Sequence, residues 1–496
     1  MLIVIISTLC NNKKMDIYSF LDERLSLFRK HFHREKTFRW FIFMVLSFML
    51  RNDKAGITSA VRAFCLDNKC YESLIKFFRS NAYSTKDLRK EWISITMSSP
   101  LCKTVNNRCV LIGDGVKQSK EAFYMPGIKK LHQESENSGK AEYIFGHMFG
   151  AVGVLLCNKL QAFCAPLSMD IHDGLRAASN WENSTVSSNT HVEQMIIDAF
   201  RAAEALQTSA YFTADRYFFT SAALKKLAER NKESGGQLVE LITKAKKNCV
   251  AYEEPLPKAP GKRGRPRIKG EQVKLKSLFE NADAFQTTKV SIYGKEEDVR
   301  YLATDLLWKQ QTGIYQKVRF VLVNWKGRKE ILVSTDLTIS AETIIELYAY
   351  RFKIECTFRE FKQQIGGFGY HFWTKSLDKL DKFKKKGSPD PIESIIDERR
   401  QQCILKTYEA IERYVLLAVI AMGLIQMMIL QVDNPEEIQR IRYQRTIRPG
   451  RLSEATLMEF LRRTFLCGLF ARPEKSISPI ILNLLLESYD RRVTAK

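Results

Sequence analysis

The sequence is short of acidic residues and of histidine. It has 55 Asp and Glu against 78 Lys and Arg, a formal net charge of +23, and only 7 His. An excess of one sign repels itself in a compact fold unless a polyanion lies against it, so nucleic acid is the first partner to expect. Proline and glycine are also sparse, at 13 and 24 residues. With 45% hydrophobic and 27% charged residues, this composition excludes collagen-like and wholly disordered chains.

The 11 cysteines include no CxxC pair and no Cys/His group with zinc spacing. We therefore predict reduced thiols in a cytoplasmic protein. The first residues, MLIVIISTLCNNKKM, carry no basic residue before their apolar run, so they make a poor signal peptide. Residues 1–14 are thus a leader or a misassigned start, with Met15 as the candidate initiator.

One apolar stretch approaches the length of a membrane span. It runs from Val415 to Leu430 and is interrupted by Gly423 and Gln426, and it falls short of the roughly 20 residues that cross a bilayer. We predict a buried core helix there and no membrane partner. An integral membrane protein is the alternative.

Changes in sequence pattern divide the rest of the chain, whose length predicts about three structural units. Residues 15–105 have the three- and four-residue apolar spacing of helices, which suits a DNA-binding domain or a structural cap. Residues 106–235 alternate short apolar runs with two amphipathic helices, which predicts an α/β or α+β layer on a mixed sheet. A basic arm and a β-rich insertion follow at 236–335, a long helix at 336–375, and a helical basic region at 376–496.

The segment from Ser340 to Gly367 predicts one helix with two faces. On a helical projection, four polar residues fall within an arc of about 60°: Tyr348, Arg351, Glu355 and Lys362. An apolar stripe lies beside them: Ile354, Phe358, Phe361 and Ile365. A carboxylate flanked by cations and a phenol suits a site that cuts phosphodiesters, because the acid binds a metal ion and the others grip phosphates. A solvated face with ion pairs is the alternative.

Two further carboxylates follow apolar strands. Asp114 comes after VLIG and Asp215 after YFTA, and strand ends are rigid places from which to present ligands. A single Asp there is more often a turn or a cap. Two of them with a later acid can surround a pair of Mg²⁺ ions about 3.5–4 Å apart. Oxygen ligands favour Mg²⁺ or Mn²⁺ over zinc, and Asp170 and Asp173 are the rival acids.

Tyr348, Arg351, Glu355 and Lys362 match Y-x2-R-x3-E-x6-K. The pattern resembles the YREK signature of DDE transposases from the IS-four group of bacterial insertion sequences. GDGVKQSKEAFYMPG and YFTADRYF resemble the blocks around the first and second Asp of that group, so the likeness spans at least 110–373. It implies a ribonuclease-H-like catalytic core with a mainly β insertion, flanked by helical N- and C-terminal regions.

The resemblance also implies roles for single residues. Asp114, Asp215 and Glu355 would be the catalytic metal ligands, holding two Mg²⁺ or Mn²⁺ ions. Tyr348, Arg351 and Lys362 would contact DNA phosphates.

The implied function is a transposase that binds the inverted-repeat ends of an insertion sequence and catalyses phosphodiester hydrolysis and strand transfer. The partners would be double-stranded DNA, both transposon ends and target, and a second copy of the chain in a homodimer on that DNA. The protein would be located in the bacterial cytoplasm, associated with the nucleoid. A catalytically inactive DNA-binding protein derived from a transposase is the alternative.

Several other residues have two readings. Arg263 and Arg265, in KRGRPRIKG, resemble a minor-groove AT-hook, against a solvated basic linker. Trp325 is a candidate to stack on an unpaired base, against ordinary sheet packing, and Trp373 has the same two readings.

Three residues near the first Asp complete the list of candidates. Lys117 and Lys120 are candidates either to contact a DNA phosphate or to form a salt bridge within the protein. For His147 we predict a hydrogen-bonded core histidine.

Overall fold

The computed structural model describes residues 16–133, 139, 142–205, 207–257, 265–381, 391–441 and 446–494. Residues 1–14, predicted to be a leader or a misassigned start, and Arg263 of the segment that resembles an AT-hook lie outside these ranges. The helices within them are α1 Ile17–Ser26, α2 Glu35–Leu50, α3 Gly56–Ala63, α4 Asn68–Phe78, α5 Thr85–Met97, α6 His191–Ala205, α7 Ser221–Glu233, α8 Ala341–Tyr350, α9 Phe352–Glu360, α10 Glu398–Gln431, α11 Pro435–Ile441, α12 Glu454–Phe470 and α13 Ile477–Thr494. The strands are β1 Thr104–Val105, β2 Arg108–Ser119, β3 Lys129–His132, β4 Tyr143–Cys157, β5 Ala162–Ile171, β6 Ala210–Thr213, β7 Val239–Lys244, β8 Val250–Tyr252, β9 Gln272–Lys274, β10 Gln286–Ile292, β11 Lys295–Gln311, β12 Ile314–Trp325 and β13 Arg328–Ser334.

The described strands form a single mixed sheet. Its main path is β3-β4-β2-β6-β7-β13-β12-β11-β8-β9, with β5 paired to β4, β1 to β2 and β10 to β11. The neighbours β2, β6 and β7 run parallel, and the other pairings are antiparallel. The predicted α/β class with helical terminal regions is therefore confirmed.

Helix signals in the sequence mark α6 and α7 correctly. Before α6, the Thr190 amide and hydroxyl donate to the Glu193 carboxylate, and Thr190 Oγ1 accepts from the Glu193 amide. This reciprocal pairing is a capping box. Thr220 caps α7 by accepting from the Ala223 amide.

The insertion between β7 and α8 is a series of hairpins. Tyr293-Gly294 joins β10 to β11 and Lys326-Gly327 joins β12 to β13, with positive φ at all four residues. Two such residues make the turn whose twist matches that of paired strands. Because β13 pairs with β7, the insertion extends the core sheet. It also has a small core of its own, which includes Leu306, Phe320 and Ile331 among others.

The segment predicted as one helix from Ser340 to Gly367 has helical backbone up to Gly366, but its hydrogen bonds divide it into three segments, which the prediction did not anticipate. Ser340 does cap the start by accepting from the Thr343 amide, and Gly366 ends it with φ +65°. Between them, the Arg351 amide bonds to Tyr348 O at 3.0 Å, and this three-residue step tightens the chain and separates α8 from α9. A π-helical turn follows at Phe361–Ile365.

The apolar run Val415 to Leu430 lies in α10, which begins at Glu398 within the region predicted to be helical. By length and composition the helix could cross a membrane, but 94% of its most apolar window is buried inside the fold. It packs against α2, α5 and β5. The predicted core burial is therefore confirmed, and one hydrophobic core joins both helical regions to the sheet.

Candidate active site

Asp114 and Asp215 lie at the same level on neighbouring parallel strands. The register pairs Ile112 of β2 with Thr213 of β6, and each Asp comes two residues later. Asp215 Oδ1 accepts from the Tyr217 amide at 2.9 Å, capping a short 3-10 helix, and its carbonyl accepts from Thr243 Oγ1. The end of β6 therefore holds Asp215 beside the middle of β2.

Glu355 reaches the same region from α9, which packs against β5 and β2. The apolar side of this helix is buried through Ile354 and Phe358. Thr357 Oγ1 donates to Cys164 O of β5 at 2.7 Å. These contacts fix the rotation of α9, and the Glu355 side chain stays 41% exposed.

Arg351 joins the first acid to the last. Its Nη1 lies 3.2 Å from Asp114 Oδ2, and its Nη2 donates to Glu355 Oε1. Burial raises the pKa of Asp114 to about 6; the Arg351 charge opposes this rise, and Asp215 and Glu355 add to it. Asp215 and Glu355 are thus near enough for their charges to affect the pKa of Asp114.

These acids do not form a closed metal site. In the part of the chain that the structure describes, no group of three His, Cys, Asp or Glu is arranged to hold a metal ion. Instead the Arg351 guanidinium bridges Asp114 and Glu355. The donor chemistry fits a hard divalent cation, because all three ligands are carboxylates.

Tyr348 and Lys362 differ in their surroundings. Burial raises the pKa of Tyr348 to about 12, opposed by the nearby charge of Arg351. Lys362 is exposed on the π-helical turn, with its Nζ 5.9 Å from the centre of the Phe368 ring. Only Lys362 of this pair has a largely solvent-facing side chain.

A pocket of about 250 Å³ lies next to this site and is lined by Trp325, Tyr348 and Arg351. Tyr293 and Phe352 also line it and were missed from the sequence. The Tyr293 ring centre lies 6.3 Å from that of Trp325 and 5.9 Å from that of Phe352. The only sequence signal for Tyr293 is its place in a Tyr-Gly turn, where an aromatic ring is left at the surface.

His191, at the start of α6, is a second neighbour that the sequence did not reveal. A Cβ added to Gly115 would lie 3.0 Å from His191 Nε2, so this imidazole lies against the strand of Asp114. The His191 and His172 Nδ1 atoms are 2.9 Å apart, and His172 Nε2 lies 3.1 Å from Asp198 Oδ2. No spacing in the sequence connects these residues.

The rival acids have ion-pair partners elsewhere. Asp170 pairs with Arg89, and Asp173 Oδ1 lies 2.6 Å from Arg176 Nε. Exposed candidates are Trp373, at 52% exposure, and Arg265.

The polar groups around His147 are structural. His147 bonds Tyr370 Oη at 2.7 Å and Pro126 O at 2.9 Å, which confirms the core-histidine prediction. Both readings of Lys120 are wrong: its buried Nζ donates to the carbonyls of Phe368 and Tyr370. Lys117 Nζ donates to His132 O.

Comparison with known families places this site in context. Residues 182–373 match the family model described as "Transposase DDE domain". This range is less than half of the chain; it contains Asp215 and Glu355 but not Asp114. No curated protein and no solved structure matched the chain. The match supports a DDE transposase family, which implies a ribonuclease-H-like core.

Proposed function

We propose that this protein is a metal-dependent transposase of the IS-four type, which binds the inverted-repeat ends of an insertion sequence, cuts them and transfers the freed strand ends. One observation carries the proposal. Asp114 and Asp215 follow paired residues of two parallel strands, and Glu355 is tied to Asp114 through Arg351. The match to a transposase DDE domain over 182–373 supports it independently.

The three carboxylates are the residues that would hold the metal. Transposases of this family generally use divalent ions, and Mg²⁺ or Mn²⁺ would activate the attacking oxygen and stabilise the leaving oxygen. The protein's own contribution is to bring acids from two strands and a helix to one place. The rigid strand positions of Asp114 and Asp215 and the packed face of α9 serve that purpose.

Arg351 gives the site a way to respond to DNA. Its guanidinium presents a planar fork of donors that suits a phosphate as well as a carboxylate. We propose that the Arg351 guanidinium exchanges its ion pairs with Asp114 and Glu355 for hydrogen bonds to a DNA phosphate when the substrate binds. The two carboxylates are then free to serve as ligands only when the scissile strand is in place.

The pocket beside Arg351 would receive an unstacked base. Trp325, Tyr293 and Phe352 offer aromatic surface there, and stacking of a base on an aromatic ring stabilises binding by about 1–3 kcal/mol. The basic arm with Arg263 and Arg265 and the N-terminal helices would hold DNA further from the cut. Two copies of the chain would be needed to join two ends.

Metal dependence of cutting tests the proposal. The purified protein is incubated with a DNA fragment that carries the terminal repeats flanking its gene, in Mg²⁺, Mn²⁺ or EDTA. We expect cutting at the repeat end with either metal and none in EDTA, with DNA binding in all three. Binding without cutting in both metals would favour the inactive DNA-binding alternative, and a scrambled repeat controls for sequence.

Lys362 provides a test of phosphate contact. Because each cation that neutralises a phosphate releases counterions, Lys362→Ala should lower the slope of log affinity against log salt by about one unit. The equally charged Lys225, which is exposed on α7, gives the matched control Lys225→Ala. Equal slopes for wild type and Lys362→Ala would show that Lys362 does not contact DNA.

A further inference from the structure

A second basic region lies on the other flank of α9, away from Arg351. It is an open cleft of about 700 Å³ between α9, the start of β5 and the loop that leads into α12. Most of its lining is polar or charged, which makes it a poor fit for an apolar ligand. The charged side chains that line it are Lys353, Arg359, Arg448, Arg451, Glu360 and Glu454.

The two acids cancel little of the positive charge. Glu360 is bound locally, with its Oε1 2.9 Å from Arg359 Nε. Glu454 is buried, and its Oε1 accepts from Gln426 Nε2 at 3.2 Å. Burial also raises the pKa of Glu454. Lys353, Arg448 and Arg451 therefore give the cleft a net positive charge.

Side chains of α11 hydrogen-bond to the backbone of the loop that carries these arginines. Gln439, whose side chain is buried, donates from Nε2 to Arg448 O and Arg451 O at 2.9 and 2.7 Å. Its Oε1 accepts from the Arg448 amide at 2.8 Å. Gly450 donates its amide to Glu436 at 2.6 Å and adopts φ +67°. The backbone is thus fixed while the Arg448 and Arg451 side chains stay exposed.

The cleft lies around α9 from the acids, and none of Asp114, Asp215 and Glu355 lines it. At 100° per residue, Arg359 follows Glu355 by about 40° around α9, and Lys353 lies about 120° further on. The helix therefore presents an acidic edge to Asp114 and a basic edge to the loop. A nucleic acid strand bound at the acids would therefore have to pass around α9 to reach these cations.

We propose that this cleft binds the sugar-phosphate backbone of the DNA that flanks the cut strand, with Arg448 and Arg451 as phosphate contacts. The inference rests on the proposed function, because it assigns a second contact surface to the same DNA. Duplex DNA carries a phosphate charge about every 1.7 Å along its axis, so a cleft with several cations meets several phosphates. Arginine suits this task because its fork holds two phosphate oxygens at once.

The experiment compares two double variants of equal charge. Arg448→Ala with Arg451→Ala removes the loop cations, and Lys225→Ala with Lys232→Ala removes two exposed cations of α7, a helix that packs against α6, β7 and β11. Binding of repeat-end DNA is measured in EDTA over a range of KCl concentrations. We expect the loop variant to lower the salt slope by about two units and the α7 variant to leave it unchanged.

Failure of this inference is separate from failure of the proposed function. Equal slopes for the loop variant and wild type would overturn the cleft assignment even if the wild type cuts DNA in Mg²⁺. A loop variant with the wild-type slope and an altered molar mass in light scattering would assign the cleft to protein contacts, which also overturns it. Absence of cutting by the wild type would count against the transposase and leave the slope comparison readable.

Discussion

Asp114→Asn, Asp215→Asn and Glu355→Gln should each reduce cutting of repeat-end DNA by more than about 100-fold while DNA binding persists. Loss of groups that only support a metal ligand costs roughly 10- to 100-fold, so loss of a ligand itself should exceed that range. Binding should be retained or slightly tighter, because each change removes a negative charge near a phosphate.

The matched control for these variants is Asp173→Asn. Asp173 is one of the two rival acids that the sequence offered. It is ion-paired with Arg176 outside the site. The Asp173→Asn variant should cut repeat-end DNA at the wild-type rate. Calorimetric titration of the DNA-bound protein with Mn²⁺ gives a second measurement, in which the three site variants should bind less metal, because Arg351 releases the carboxylates only when DNA is in place. Cutting at the wild-type rate by any of the three would remove that residue from the proposed ligand set.

Thermal stability separates a catalytic loss from misfolding. Burial and the neighbouring acids raise the pKa of Asp114, so its charge opposes folding at neutral pH. Asp114→Asn should therefore melt no lower than the wild type. A marked fall in its melting temperature would mean that lost cutting reports lost structure.

Gly423→Ala should lower the free energy of unfolding by about 2 kcal/mol, although alanine is the better helix former by about 1 kcal/mol. Gly423 lies in the middle of α10, and a Cβ there would be 2.2 Å from Trp92 Cζ2. Trp92 is fully buried and its Nε1 donates to Pro166 O at 2.8 Å, so the indole has little room to move. Urea unfolding measures the change.

Two further variants test the cause. Gly236→Ala is the control, since a Cβ there meets no atom within 4 Å. Combining Gly423→Ala with Trp92→Phe should cost less than the sum of the two single changes, because the smaller ring relieves the contact. Strict additivity, or no loss in Gly423→Ala alone, would show that the contact does not limit stability.

Local signals in the sequence predicted much of the scaffold. The strand before Asp215, a helix cap at Asn189 or Thr190 and the helix ends at Ser340 and Gly366 each depend on a few neighbouring residues. For this reason the position of Asp215 just after a strand could be anticipated, whereas Asp114, which was also predicted to follow a strand, lies in the middle of β2 because pairing with β4 continues to Ser119.

The arrangement of the site could not be read in the same way. Arg351 bonds to an acid 237 residues earlier in the chain, and the break between α8 and α9 occurs at that residue. A helical projection assumes one straight helix, so it grouped Tyr348 with Lys362 although their burial differs. The long strand β11 was also missed, because polar residues occupy many of its positions and it is only partly buried.

The pairing of β13 with β7 has a mechanical consequence. β7 is hydrogen-bonded on its other side to β6, the strand that ends at Asp215. Three ladders of backbone hydrogen bonds, β12 to β13, β13 to β7 and β7 to β6, therefore connect Trp325 on β12 to the strand that leads to Asp215. Trp325 and Asp215 therefore belong to one continuous hydrogen-bonded sheet, and the backbone ladders between them hold their separation constant.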